Sequence, residues 1–218
     1  MTNPAGRPLL ITDCDEVLLY MVSHFRDWLA EEEGVTFTFD RGEFSGAMSH
    51  VGSGEVLEPA AMWSLLNRFF DGQMHRQTPV DGAVEALREI SRHADVVVLT
   101  NLMDFRQEAR RLQLAEHGLD LRVFTNQGPK GPALKAILDE YQPSRAVFVD
   151  DLAQHHDSVA AVTPEVGRLH FCAEPLLAPH IVCAHIAGHA HARIDRWPDA
   201  APWLIDWLTR AEAVKTES

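Results

Sequence analysis

Three apolar runs in this chain each end in side chains that bind cations or oxygen. Leu9-Leu10-Ile11-Thr12 leads into Asp13-Cys14-Asp15, Val96-Val97-Val98-Leu99 into Thr100-Asn101, and Ala146-Val147-Phe148-Val149 into Asp150-Asp151. A continuous apolar run rich in β-branched residues belongs to a strand covered on both faces, the setting of a parallel sheet. Helices predicted over 83–92, 105–118 and 132–141 separate the runs. Strands alternating with helices in this way specify an α/β fold, a doubly wound parallel sheet. The carboxyl ends of such strands share one edge, and ligands bind there. The polar groups that close the three runs therefore converge.

The alternation is interrupted once. After the first run, 22–33 reads as an amphipathic helix with Phe25, Trp28 and Leu29 on one face and Gly34 as its stop. Residues 35–39 alternate as a short strand does, and 57–70 carries a helical stripe of Met62, Leu65, Leu66, Phe69 and Phe70. Two helices without a strong sheet strand between them predict a small helical insert over 20–77. It packs on the carboxyl edge of a core formed by 1–19 and 78–218. Short strands over 121–124 and 169–172, a helix over 156–162 and a final amphipathic helix over 202–213 complete the reading.

A chain of 218 residues suits one such domain with an insert. The formal net charge of -13 argues against a nucleic-acid partner and against docking on an anionic membrane. A small anionic substrate stays compatible, because a bound cation reverses the sign locally. Cys14, Cys172 and Cys183 form no disulfide framework, and reduced thiols in a cytoplasmic setting are the simpler expectation. The polar segment 1–8 has no apolar signal-peptide core, and no apolar run reaches the roughly 18 residues of a membrane span.

Period-2 geometry places Asp13 and Asp15 on the same side if the first strand continues that far, and turns Cys14 away as a packed residue. Two such acids repel unless a hard cation lies between them, one is protonated, or the strand has ended and they splay apart. Lys130 stands in the loop Gly128-Pro129-Lys130-Gly131 before a helix and can reach the same edge. Acids for a hard cation, a hydroxyl and a lysine together suit a phosphoryl group.

In that order, Asp13-Cys14-Asp15-Glu16-Val17, Leu99-Thr100-Asn101, Lys130 and Val149-Asp150-Asp151 resemble the four motifs of the haloacid dehalogenase superfamily, whose members are mostly phosphatases. The resemblance implies a Rossmann-like core with a cap inserted between the first and second motifs, and a magnesium-dependent phosphohydrolase. Asp13 would be the nucleophile, forming an aspartyl-phosphate, and Asp15 the general acid and base. Thr100 would hold a phosphoryl oxygen, with Asn101 as a further substrate contact, and Lys130 would neutralise charge. Asp13, Asp15 through its backbone carbonyl, Asp150 and Asp151 would hold Mg2+, Asp151 directly and Asp150 directly or through water. Asp15 speaks for phosphate chemistry rather than dehalogenation, since a halide leaves without a proton. The expected substrate is a small phosphorylated metabolite, and the protein is a monomer or homodimer. The alternatives are a sugar-phosphate mutase and a non-catalytic binding or regulatory protein of the same fold. Glu16 stands where many members have a small residue, and is expected to alter cap contacts more than chemistry.

The other polar residues have ordinary readings. His180, His185, His189 and His191 lack a full zinc signature and read as structural. His155 and His156 fall where a helix-leading loop is expected, and Asp157 and Lys135 read as helix-surface residues. Asp104 and Arg106 begin a helix. His50, Arg68 and Trp63 in the insert are possible substrate contacts.

Overall fold

The computed structural model describes residues 6–39 and 46–210; the start of the polar N-terminal segment, part of the insert (40–45) and the end of the expected final helix (211–213) lie outside the described residues. Six strands form one sheet in the order β5-β4-β1-β6-β7-β8. They are β1 (Leu9–Thr12), β4 (Asp95–Thr100), β5 (Arg122–Thr125), β6 (Ala146–Asp150), β7 (Gly167–His170) and β8 (Ala192–Arg193). Every pairing is parallel. β1 is central: Leu9 to Thr12 pair with Asp95 to Val98 on one side and with Ala146 to Val149 on the other. The two-residue β8 carries too little pattern to be seen in the sequence.

Alternation along the strands fills both faces. Leu10, Val98, Val147 and Val149 pack with Leu87, Leu114, Trp197 and Leu204 from α3 (Ala83–Ile90), α4 (Gln107–Glu116) and α7 (Trp197–Thr209). Leu9, Ile11, Val97, Leu99 and Phe148 pack on the opposite face with Leu134, Ile137 and Val159 from α5 (Gly131–Tyr141) and α6 (Ala153–Val162). This is the doubly wound α/β sheet expected.

The chain leaves this sheet after Leu19 and returns at Pro79, where the two residues bridge and Tyr20 N–H donates to Thr78 O at 2.9 Å. Between these points lie α1 (Val22–Trp28), β2 (Val35–Phe37), β3 (Met48–His50) and α2 (Pro59–Gly72). They surround a separate hydrophobic cluster that includes Phe25, Trp28, Leu29, Met62, Leu65 and Phe69. The insert is thus helical with an antiparallel β2–β3 pair, of which only the first strand is legible in the sequence. The helix expected over 22–33 changes at Leu29 into a π-helical turn, and Gly34 stops it at φ 61°.

Two helices begin earlier than the sequence pattern suggests. The final helix starts at Trp197 rather than at 202, because Pro198 in its first turn needs no donor there. Trp197 is fully buried and its indole N–H donates to Val17 O at 2.8 Å. α6 starts at Ala153 rather than at 156, so His155 joins His156 inside the helix, and both are buried rather than lying in a loop before it. No helix among the described residues is long and apolar enough to cross a membrane.

Candidate active site

β1 ends at Thr12, and the ladder extends one residue further, with Asp13 N–H donating to Val149 O at 2.8 Å. The backbone then turns, and Glu16 adopts a left-handed φ of 63°. Alternation therefore stops before Asp15: the strand has ended, the condition for a shared side is not met, and the two acids take different partners, the last of the three alternatives above. Asp13 Oδ1 lies 2.7 Å from Lys130 Nζ. Asp15 Oδ1 accepts from Gln77 Nε2 at 2.7 Å and from Arg110 Nη2 at 2.9 Å, and its Oδ2 accepts from Arg110 Nη2 at 3.1 Å. Cys14 is buried in the core, where Arg110 Nη1 donates to its Sγ at 3.2 Å. Burial pushes that thiol well up, so it is no nucleophile.

Lys130 is placed by the start of α5 and is only 1% exposed. Its ammonium bridges Asp13 and Asp150, at 2.7 Å from each. Burial alone would lower its pKa, but the two carboxylates raise it, so it is a fixed cation. Asp13 Oδ1 accepts no regular hydrogen bond in spite of that contact. Its pKa rises to about 7, through burial first, partly offset by Lys130 and reinforced by Asp150 and Asp15. Asp150 has both oxygens engaged, Oδ2 with Lys130 and Oδ1 with Leu152 N–H at 2.8 Å. Burial would raise its carboxyl, yet Lys130, His155 and His156 bring it below the ordinary value.

Asp151 is different. It is 6% exposed, and no hydrogen-bond donor among the described residues reaches its carboxylate. Burial, then Asp150, Asp13 and Glu16, push its pKa well up. Asp13, Asp150 and Asp151 each offer an oxygen within 4.8 Å of the others. An all-oxygen set in which one buried carboxylate oxygen, Asp13 Oδ1, accepts no regular hydrogen bond suits a hard cation such as Mg2+, so the residues present fit one. Two histidines hold the backbone behind these acids. His170 Nδ1 accepts from Ala184 N–H at 3.0 Å, so its proton is on Nε2, which donates to Asp151 O at 2.7 Å. His156 Nε2 donates to Asp150 O at 2.9 Å.

Asp13, Asp15, Thr100, Asn101, Lys130 and Asp151 line one cavity of about 370 Å3, with Asp150 behind Lys130. Thr100 is buried at the end of β4. Asn101 also borders the cavity, but its amide already donates to Gly128 O at 3.0 Å and its oxygen accepts from Asn126 at 2.9 Å. It shapes the loop that carries Lys130. Glu16 Oε1 accepts from Met21 and Val22 N–H at 3.0 and 2.6 Å, capping α1 where the insert begins. Burial raises the Glu16 pKa to about 8. Arg68 lies outside the cavity lining, paired with Glu33, and exposed His50 lies outside it too, whereas Trp63 does line it. The other histidines do not gather: His185, His189 and His191 have separate partners, and no metal cluster among the described residues includes them.

Neither a family model nor a curated protein matches this sequence. Solved structures do. A family hydrolase from Deinococcus radiodurans, determined with bound phosphate and sodium, superposes with a TM-score of 0.64 at 18% identity over 95% of this chain and 100% of that chain. A haloacid dehalogenase-like hydrolase from Streptococcus pneumoniae has a TM-score of 0.64 at 10% identity, covering 91% and 98%. The chain has the haloacid dehalogenase-like fold. A third match with that fold, provisionally assigned as a beta-phosphoglucomutase of Thermotoga maritima, has a TM-score of 0.60 at 16% identity, covering 90% and 98%. In the haloacid dehalogenase-like fold of this chain, the four sequence motifs meet at the carboxyl edge of β1, β4 and β6.

Arg110 and Gln77 were not legible as site residues. Arg110 lies on a helix whose neighbours include Glu108 and Arg111, and it reads as one more solvated charge; in the fold it is fully buried. The one hint is the placement of Arg110 four residues before Leu114, on the buried stripe of α4.

Proposed function

We propose that this chain is a magnesium-dependent phosphohydrolase acting through an aspartyl-phosphate on Asp13, with 20–77 as its cap. The observation that carries this reading is the buried Asp13–Lys130–Asp150 bridge beside the donor-free Asp151 carboxylate, with Asp13, Lys130 and Asp151 lining one cavity. Asp151 and Asp13 would hold the cation, with Asp150 at their side. When bound, it neutralises phosphoryl charge and keeps Asp13 ionised.

The residues divide the work. Asp13 attacks phosphorus; its oxygen gains the P–O bond as the ester P–O bond breaks. Thr100 and Lys130 face the charge that this transfer concentrates on the phosphoryl oxygens. Asp15 gives a proton to the departing oxygen and then takes one from the water that hydrolyses the aspartyl-phosphate. Gln77 and Arg110 fix Asp15 at the wall, and its Oδ2, with a single donor, is the oxygen suited to carry the proton.

The test is p-nitrophenyl phosphate with and without magnesium. Turnover that needs magnesium and vanishes in Asp13→Asn is expected. No turnover on that ester or on a broad phosphate-ester panel, with Asp13→Asn matching wild type, overturns the proposal.

A further inference from the structure

The reaction centre occupies only the floor of the cavity. Its remaining wall comes mainly from the insert and is apolar: Met21 beside α1, Met48 on β3, and Met62, Leu66 and Phe70 along α2. These α2 residues fall at i, i+4, i+8, so one helix face looks down on the acids. Trp63 stands at the rim, 61% exposed. Leu177 adds apolar surface from the core side.

What this wall lacks matters as much. Among the described residues, the only lysine or arginine that lines the cavity is Lys130, and both Asp13 and Asp150 already hold it. Arg106 is turned away, bonded to Asp71 and Asn67 of α2. A second phosphate or a carboxylate on the substrate would thus meet no free cation among the described residues. A polyol would meet few partners on this wall among the described residues, because Asn101 is spent on Gly128 and Asn126, which leaves Gln154, His155 and the Oε2 of Glu16. Burying hydroxyls against methionine and leucine without partners is unfavourable, whereas burying methylenes there is favourable. Methionine-rich walls also adapt to irregular apolar shapes.

We infer that the substrate is a phosphate monoester with an apolar body, an alkyl or aryl chain seated against Met62, Leu66 and Phe70, rather than a sugar phosphate or a bisphosphate. This rests on the phosphohydrolase reading of the same cavity. The cavity is at the small end of ligand pockets, so the body is short.

Straight-chain alkyl phosphonates test this by binding alone, since they cannot be hydrolysed. With the full chain and magnesium, calorimetric affinity is expected to rise about fourfold per added methylene from ethyl to hexyl, the ratio given by the transfer free energy of one methylene. Leu66→Asn, at a partly exposed position, is expected to flatten that slope. In parallel, kcat/KM on alkyl phosphates should rise with chain length and exceed that on glucose 6-phosphate by at least about tenfold. Flat phosphonate affinities, or tighter binding of glucose 6-phosphate, overturn the inference. Rising phosphonate affinity with no turnover of any ester upholds the apolar selectivity of the cavity, as a binding site for an alkyl or aryl phosphoryl compound, and overturns the phosphohydrolase reading instead.

Discussion

Asp15 and Asp151 are both acids at the same cavity, yet their surroundings give them different work. Asp151 has no donor and needs a positive neighbour, whereas Asp15 is already held by Arg110 and Gln77. If the proposed phosphohydrolase reading holds, Asp15→Asn is expected to lower kcat by about 10²- to 10⁴-fold, the usual worth of a general acid, while magnesium affinity by calorimetry stays near wild type. Asp151→Asn is expected to lose magnesium affinity. Equal loss of affinity in both variants would contradict the division. Lys130→Met removes the cation shared by two buried acids, and is expected to destabilise the fold by about 3–5 kcal/mol in urea denaturation without magnesium. A variant as stable as wild type would show that those acids are protonated rather than paired. The four motifs were legible because each closes an apolar run or sits in a Gly-Pro loop. The partners of Asp15 were not: Gln77 and Arg110 lie 62 and 95 residues away, and no local pattern marks them.

At the scale of elements, the position of Lys130 depends on how closely α5 approaches α6. Gly131 makes that approach possible: a Cβ there would run into the backbone carbonyl of Ser158, whose hydroxyl accepts from Gly131 N–H at 3.0 Å. Gly131→Ala is expected to cost about 1–3 kcal/mol and to reduce activity by displacing the neighbouring Lys130, read as a lower denaturation midpoint together with lower kcat. Unchanged stability and kcat would mean that the two helices part freely. The main strands and helices were readable from period alone. The exceptions have local causes: β3 and β8 are three and two residues long, and α7 contains Pro202, which masks a helix already begun at Trp197. Arg106 was read as a helix start; it is indeed in a 3-10 turn, but it is buried and ties that turn to α2.

For the whole molecule, buried acids and buried histidines pull stability in opposite directions with pH. Asp13 and Glu16 have native pKa values raised to about 7 and about 8. The folded chain then keeps protons that the unfolded chain has released, so stability falls as pH rises toward those values. His156, lowered to about 4, and His155 and His170, also lowered, act in reverse and favour the fold as pH rises toward about 6.5. The cation-free protein is therefore expected to melt highest near pH 6 to 7. Up to pH 7 each of the two acids costs up to about 1.4 kcal/mol per pH unit, and from pH 7 to 8 only Glu16 continues to do so, because Asp13 has by then released its proton in the folded chain as well. Magnesium should raise the melting temperature more at pH 8 than at pH 6. Melting temperatures in chelator that hold constant or climb from pH 6.5 to 8 would refute this.

The strand that carries Asp13 has both of its neighbours far downstream, with Leu9 set between Asp95 and Ala146. Such pairing has high contact order, and its loop-closure entropy must be met before any of its hydrogen bonds form. A nascent chain that has not reached β6 holds Asp13 on a strand with one side open and lacks Asp150 and Asp151 altogether. The acid cluster should thus assemble late in folding, when the sheet closes around its first strand.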